Sequence, residues 1–475
     1  MQRRMVLSLV GLLAIVAACG SSAVSAGAAT ATATASPEAS AGSSATPTPG
    51  PTASPTASRG PFAADWPTYH RDASRSGYNP DFAPLRAPLV KAWTSELDGA
   101  VYAQPLVVNG RVLVATENDS VYSLDSATGA VIWSKKLGTP VPLKTLPCGN
   151  IDPLGITGTP AFDAKTGSLF LVAEVTGPKH VMFALDAETG EIRWSRDVDL
   201  PGDDPRPHQQ RTAVVVGNGY AYFGYGGLAG DCGEYTGKVI GVPTSGQGDT
   251  IAYRVPVARE GGIWATAGPV MDDAGNLFVS TGNGSSTTKF DGSDSVLKLA
   301  PDLKRLSFFA PSVWADDNAR DLDLGSLSPT LLPGGYVFIV GKRGVGYTLR
   351  QANLGGIGGQ VYAGELGCGG FGGTARSGYM VYVGCQAGLR AVEVKTNGKF
   401  REAWRTTTAG GPPTVGGGAV WVLSSAGLLV ALDPLNAKTL ASISVGEISH
   451  FASPTLWNGL VLVGTLKGVV AVKGS

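Results

Sequence analysis

The chain repeats itself. A short apolar strand ending in aspartate or a substitute recurs as VYSLD (121–125), VMFALD (181–186), VIGVP (239–243), VLKLA (296–300), GYTLR (346–350), LRAVE (389–393), LVALD (429–433) and VVAVK (469–473). A second apolar strand precedes each copy, from RVLVAT at 111 to LVLVGT at 460. After the first seven comes a turn and an amphipathic outer strand. The turns SATG (126–129) and AETG (187–190) place glycine where a positive φ is easiest, and WSKKL (133–137) and WSRDV (194–198) then alternate apolar with polar residues. Four-stranded units of about 40 to 60 residues are propeller blades rather than helical repeats. The eighth unit stops at Ser475 with no outer strand of its own, while VKAWTSE (90–96) carries Trp93 where Trp133, Trp194 and Trp404 stand in other blades. Pairing it with the last blade closes the ring and protects two otherwise open edges. The expected fold is therefore all-β: an eight-bladed propeller of four-stranded blades, closed by an N-terminal strand. The recurring tryptophans are expected to wedge each blade against its neighbour.

Before the repeats lie two segments of different character. Arg3 and Arg4 precede an apolar run from Met5 to Val16 that closes at Ala17-Ala18-Cys19. That pattern is a secretory signal, too short to be read as a spanning helix. Val16-Ala17-Ala18-Cys19 resembles the bacterial lipoprotein box, which implies that Cys19 carries a lipid and anchors the chain to a membrane. From Gly20 to about Gly60 the residues are nearly all Ala, Ser, Thr, Pro and Gly, with Glu38 and Arg59 the charges. Such a stretch buries no core and suits a tether. The expected organisation is a signal peptide at 1–18, a tether at 19–60 and one propeller at 61–475, exported and monomeric. Lys plus Arg and Asp plus Glu number 37 each, so no bulk field draws the chain to nucleic acid.

An exported chain forms disulfides. Cys368 precedes the first strand of the sixth blade and Cys385 ends its second, so antiparallel pairing brings them together. Cys148 and Cys232 lie in loops of adjacent blades and make the second expected pair, although four cysteines allow three connectivities. His70, His180, His208 and His450 have no zinc spacing, and neither a GxSxG elbow nor a phosphate-cradling loop occurs. One stretch is richer in chemistry. It holds Asp231 and Glu234 in GDCGEYTG, Trp264 in GGIWATAG, Asn283 in STGNGSS, the acids of WADDNARDLD, and Lys342-Arg343 before GVGYTL. Loops of consecutive blades carry these residues. Oxygen donors beside an aromatic face and a cation suit a Ca²⁺ ion with a flat, anionic cofactor.

Across nearly the whole propeller the repeats resemble those of pyrroloquinoline-quinone (PQQ) dehydrogenases. The resemblance implies that Trp264 lies under the quinone, that Asn283 binds calcium with Asp231 or Glu234, that Asp321 or Asp323 is the catalytic aspartate acting as general base, and that Lys342 or Arg343 contacts the quinone. The chain departs from that family in lacking the adjacent-cysteine disulfide, the additional roofing loops and a haem segment. A plainer reading makes the same residues turn formers: Asn283-Gly284 a tight turn, Lys342-Arg343 a solvated pair. On these departures the expected function is a lipid-anchored binding or scaffolding module for an envelope protein, glycan or small ligand, resembling the propeller lipoproteins of outer-membrane protein assembly. The alternative is a PQQ- and Ca-dependent oxidoreductase acting on alcohols or sugars.

Overall fold

The computed structural model describes residues 65–475. Arg3, Arg4, Cys19 and the 19–60 segment lie outside the described residues. The repeats form eight sheets, each built on four antiparallel strands; three sheets gain a two-residue fifth strand, and in all but the closing sheet the four main strands follow chain order from the axis to the rim. In the first blade these are Leu106–Val108, Arg111–Ala115, Ser120–Asp125 and Val131–Lys136. The middle strands are apolar on both faces because a neighbouring blade covers each face. The outermost strand keeps one edge in water, so Val131–Lys136 is exposed or half-exposed throughout. Ring closure follows the expected route: Leu89–Glu96 pairs antiparallel with Gly468–Gly474, setting Thr94 opposite Val470.

Tryptophans join one blade to the next. The Trp93 indole donates to the Ser126 carbonyl at 2.9 Å and lies on the turn glycine Gly129, where an added Cβ would sit 2.5 Å from its ring. Trp133 covers Gly190 and Trp194 covers Gly246 in the same way, at 2.6 Å. The three glycines have φ between 74° and 76°, so hand and space both demand glycine there. Both disulfides, Cys148–Cys232 and Cys368–Cys385, are formed.

One feature of the fold escaped the repeat pattern. Residues 66–79 wind inside the ring of innermost strands and hydrogen-bond to seven blades in turn. Backbone bonds link Trp66 with Val107, Pro67 with Phe162, Ala73 with Met271, Ser76 with Arg376 and Gly77 with Val415. Side chains add Thr68 to Val214 and Asn79 to Leu456. His70 is fully buried there, its ring nitrogens bonded to Thr374 O and Ser453 Oγ at 2.9 Å each. The segment thereby ties the innermost strands of seven blades together at the axis.

Candidate functional site

In every blade the turn between the middle strands and the link to the next blade emerge on one rim, so residues far apart in the chain meet there. Trp264 stands on the link from Ile251–Arg254 to Val270–Met271, and Asn283 on the turn after Leu277–Ser280. Asp323 comes from the link before Thr330–Leu332, Lys342 from the turn after Tyr336–Val340, and Asp231 from the turn after Tyr220–Gly227. Together with Arg211 and Tyr235 these five line one cleft of about 520 Å³, open to solvent.

Asp323 is its chemical centre. Its side chain is buried; Oδ1 accepts the Asn283 backbone N–H at 2.7 Å, and Oδ2 lies 2.5 Å from the Lys342 ammonium. Burial pushes this carboxyl above its usual range, against the pull of Lys342. The Lys342 ammonium, although partly buried, is held above its ordinary value by Asp323 and by Asp321 at 2.8 Å. It also stands 5.8 Å from the centre of the Trp264 ring, on the ring's face. Trp264 is partly exposed, and Gly226 packs so closely against it that an added Cβ would come within 2.7 Å of the Trp264 Cβ. Behind Asp323, Asp294 is buried and accepts the Leu324 N–H at 2.9 Å; desolvation first and the nearby Asp323 second push its carboxyl well above the usual range.

The structure sorts the alternatives that the sequence left open. Asp323 enters the cleft, whereas Asp321 sits on the exposed side of Lys342. Asp231 lines the cleft and accepts the Tyr235 hydroxyl at 2.6 Å, whereas Glu234 is exposed and outside the lining. Arg343 turns away to pair with Asp316 and Asp317 of the short helix Trp314–Arg320. That helix also supplies Asn318, which accepts the Gly284 N–H at 2.7 Å and so secures the loop that carries Asn283. Arg211, Tyr235 and Asp294 were missed in the sequence. They stand in strand-like or loop segments without a motif, and only the ring brings them to the cleft.

The cleft fits a flat anionic quinone. It offers an indole face, two cations in Lys342 and Arg211, and glycine backbone where side chains would fill the space. Its hard oxygen donors are the Asn283 amide, which makes no hydrogen bond among the described residues, and the carboxylates of Asp231 and Asp323. Among the described residues no group of three or more His, Cys, Asp or Glu side chains could hold a metal. A calcium site here would therefore draw on the Asn283 amide and the Asp231 carboxylate, with oxygens of the cofactor completing it.

A family profile described as outer membrane protein assembly factor BamB matches residues 91–353, more than half of the chain. The quinone-dependent alcohol dehydrogenase, dehydrogenase subunit, of Gluconobacter oxydans is 29% identical over 200 residues, which are 38% of this chain and 25% of that protein. The polyvinylalcohol dehydrogenase of a Sphingopyxis species is 26% identical over 285 residues, 54% of this chain and 40% of that one. The chain thus spans less than half the length of these curated relatives. The crystal structure of the quinohemoprotein alcohol dehydrogenase of Comamonas testosteroni superposes with a TM-score of 0.66 at 18% identity, over 86% of this chain and 80% of that one, a likeness of fold. These matches correct the expectation of a binding or scaffolding module. The relatives are dehydrogenases, and they favour the oxidoreductase alternative.

Proposed function

The chain belongs to the PQQ-repeat propeller family described as outer membrane protein assembly factor BamB, and from that premise we propose that it is a PQQ- and calcium-dependent oxidoreductase acting on alcohol or sugar hydroxyls. The observation that carries this reading is the convergence of Trp264, Asn283, Asp323 and Lys342 on one cleft. When bound, the quinone supplies the two-electron acceptor for the substrate's carbinol carbon. Trp264 offers the apolar platform beneath it. Lys342 places positive charge beside that platform and keeps Asp323 oriented. Asp323 is the base for the substrate hydroxyl. A carboxyl raised by burial yet fixed by a backbone N–H and an ammonium holds a proton more readily than a free aspartate, as general-base work at neutral pH requires. Asn283 and Asp231 would hold the calcium ion that polarises the quinone.

Export, a lipid on Cys19 and a monomeric propeller on a tether complete the proposal. The family description and two disulfides support an extracytoplasmic setting.

PQQ titrated into the soluble propeller, with and without Ca²⁺, tests the reading by tryptophan quenching and calorimetry. Saturable, calcium-dependent binding is expected, abolished in Trp264→Ala and stripped of its calcium dependence in Asn283→Ala. A folded protein that binds no PQQ at any calcium concentration refutes it.

A further inference from the structure

The peptide that follows Asp323 is held at both ends. Its carbonyl accepts the Lys342 backbone N–H at 2.9 Å, and its N–H, that of Leu324, donates to the Asp294 carboxylate at 2.9 Å. A peptide unit is planar, so holding its two polar ends fixes the backbone on one side of Asp323 and restricts where that side chain can point. No side chain cushions this link against the neighbouring turn. A Cβ on Gly325 would come within 2.4 Å of the Gly282 nitrogen, and one on Gly282 within 2.3 Å of Asp323 Oδ1. A shift of the link therefore passes directly to the Trp264 cleft.

Asp294 occupies a position that the repeat gives to glycine elsewhere. It stands six places before Ala300, the end of the apolar motif in the fourth blade, as Gly344 stands before Arg350 in the fifth and Gly427 before Asp433 in the seventh. Those glycines have φ of 80° and 71°, and Asp294 is left-handed too, at 44°. Such a backbone favours glycine and admits aspartate only at a cost. The Asp294 carboxyl is also fully buried, with Oδ2 lacking a hydrogen-bond partner among the described residues. Left-handed backbone and a buried acid both detract from stability, and an outlier of this kind points to function. The first blade supplies the comparison. Asp119 stands six places before Asp125, is left-handed at 57° and as deeply buried, yet neither of its carboxylate oxygens has a hydrogen-bond partner among the described residues, and it does not line the cleft.

We infer that Asp294 is the positioning residue for Asp323: it grips the Leu324 N–H from beneath the cleft and keeps the Asp323 carboxylate aimed at Lys342 and the Asn283 loop. Asp294 does not itself line the cleft and acts through Leu324. In giving Asp323 a catalytic task the inference rests on the oxidoreductase reading; the grip itself does not.

Hydrogen exchange on the quinone-free full chain tests the grip, and dye-linked turnover with PQQ and Ca²⁺ tests its consequence. Asp294→Gly installs the residue that other blades use and deletes the acceptor. In that folded variant the Leu324 amide should exchange about tenfold faster or more, as a local opening made easier implies. PQQ affinity should stay within about threefold of the wild type while kcat falls about tenfold or more with little change in KM, the cost of a misplaced catalytic group. Asp294→Asn keeps an acceptor of the same shape and should return exchange and kcat to within about threefold of the wild type. Asp119→Gly makes the same backbone change where no hydrogen bond is lost, and should leave Leu324 exchange, PQQ affinity and kcat unchanged. Should the glycine variant not fold, Asp294→Ala takes its place in the comparison. Unchanged Leu324 exchange in the folded variant overturns the grip. An Asp294→Asn enzyme as slow as Asp294→Gly, or a loss of kcat matched by an equal loss of PQQ affinity, overturns the positioning role. If the wild type binds no PQQ while Leu324 exchange responds as expected, the grip stands and the quinone reading falls.

Discussion

Asp321 and Asp323 differ by two positions and by nearly everything a carboxylate can feel. Asp323 is buried beneath the rim, where it touches both the Asn283 loop and Lys342, while Asp321 meets Lys342 from the solvent side in a left-handed backbone turn. Asp323→Asn is expected to cut PQQ-dependent turnover by roughly 10²–10⁴-fold, the usual contribution of a general base, and Asp321→Asn to leave it within about tenfold; dye-linked rates on a sugar and an alcohol panel measure both. Other buried acids govern stability instead. Glu117 and Asp119 are both raised to about 8, by desolvation first and then by neighbouring carboxylates. Unfolded, they titrate near an ordinary pKa of about 4. Between those values the folded state holds protons that the unfolded state has lost, so their stabilisation is complete below about pH 4 and disappears as pH rises through 8. Glu117→Gln should therefore flatten the decline in stability between pH 5 and 8, by at most about 1.4 kcal/mol per pH unit for one proton. A denaturant midpoint measured at several pH values would show an unchanged slope if Glu117 were already ionised. None of these distinctions was visible in the one-dimensional pattern, because desolvation is set by what packs above a side chain.

At the scale of elements, the blade is a sheet fastened sideways by tryptophan on glycine. A Cβ at Gly190 would intrude on the Trp133 ring at 2.6 Å, at a φ of 76°. Gly190→Ala should lose about 1–3 kcal/mol by urea unfolding, through strain in the backbone and overpacking together. Gly110→Ala is the comparison: its φ is also positive, at 73°, but nothing lies within reach of the added carbon, so only the backbone cost remains. Equal losses at the two sites would show that the indole contact adds nothing. The strands, turns and tryptophans were all legible, since alternation and turn glycines are local properties of the chain. The helix Trp314–Arg320 was not. Its run WADDNAR has no apolar stripe, and it is held by Arg343 and by the Asn318 bonds to the next loop, partners that only the folded blade supplies.

For the molecule as a whole, the ring is closed by one strand and tied at its axis by one segment. Deleting residues 1–96 removes both and exposes the edge of Gly468–Gly474. Deleting residues 1–82 removes the tie and keeps the closing strand. By light scattering, the first protein should aggregate, as an open sheet edge invites. The second should remain monomeric with a lowered melting temperature, and aggregation of both to the same extent would mean that the tie matters as much as the closure. Repetition made blade number and closure readable in advance, because each unit leaves two apolar faces that neighbours of the same kind must cover. It also named the loops from which a site could come, and Trp264, Asn283 and Lys342 were found there. What repetition could not say is which of several acids points inward, that residues 66–79 thread the ring, or that Arg211 borders the Trp264 cleft. Those follow from closure of the ring, which decides who is desolvated beside whom. A strand's face is encoded within a few residues of itself, but the environment of a side chain at the axis is contributed by blades hundreds of residues apart.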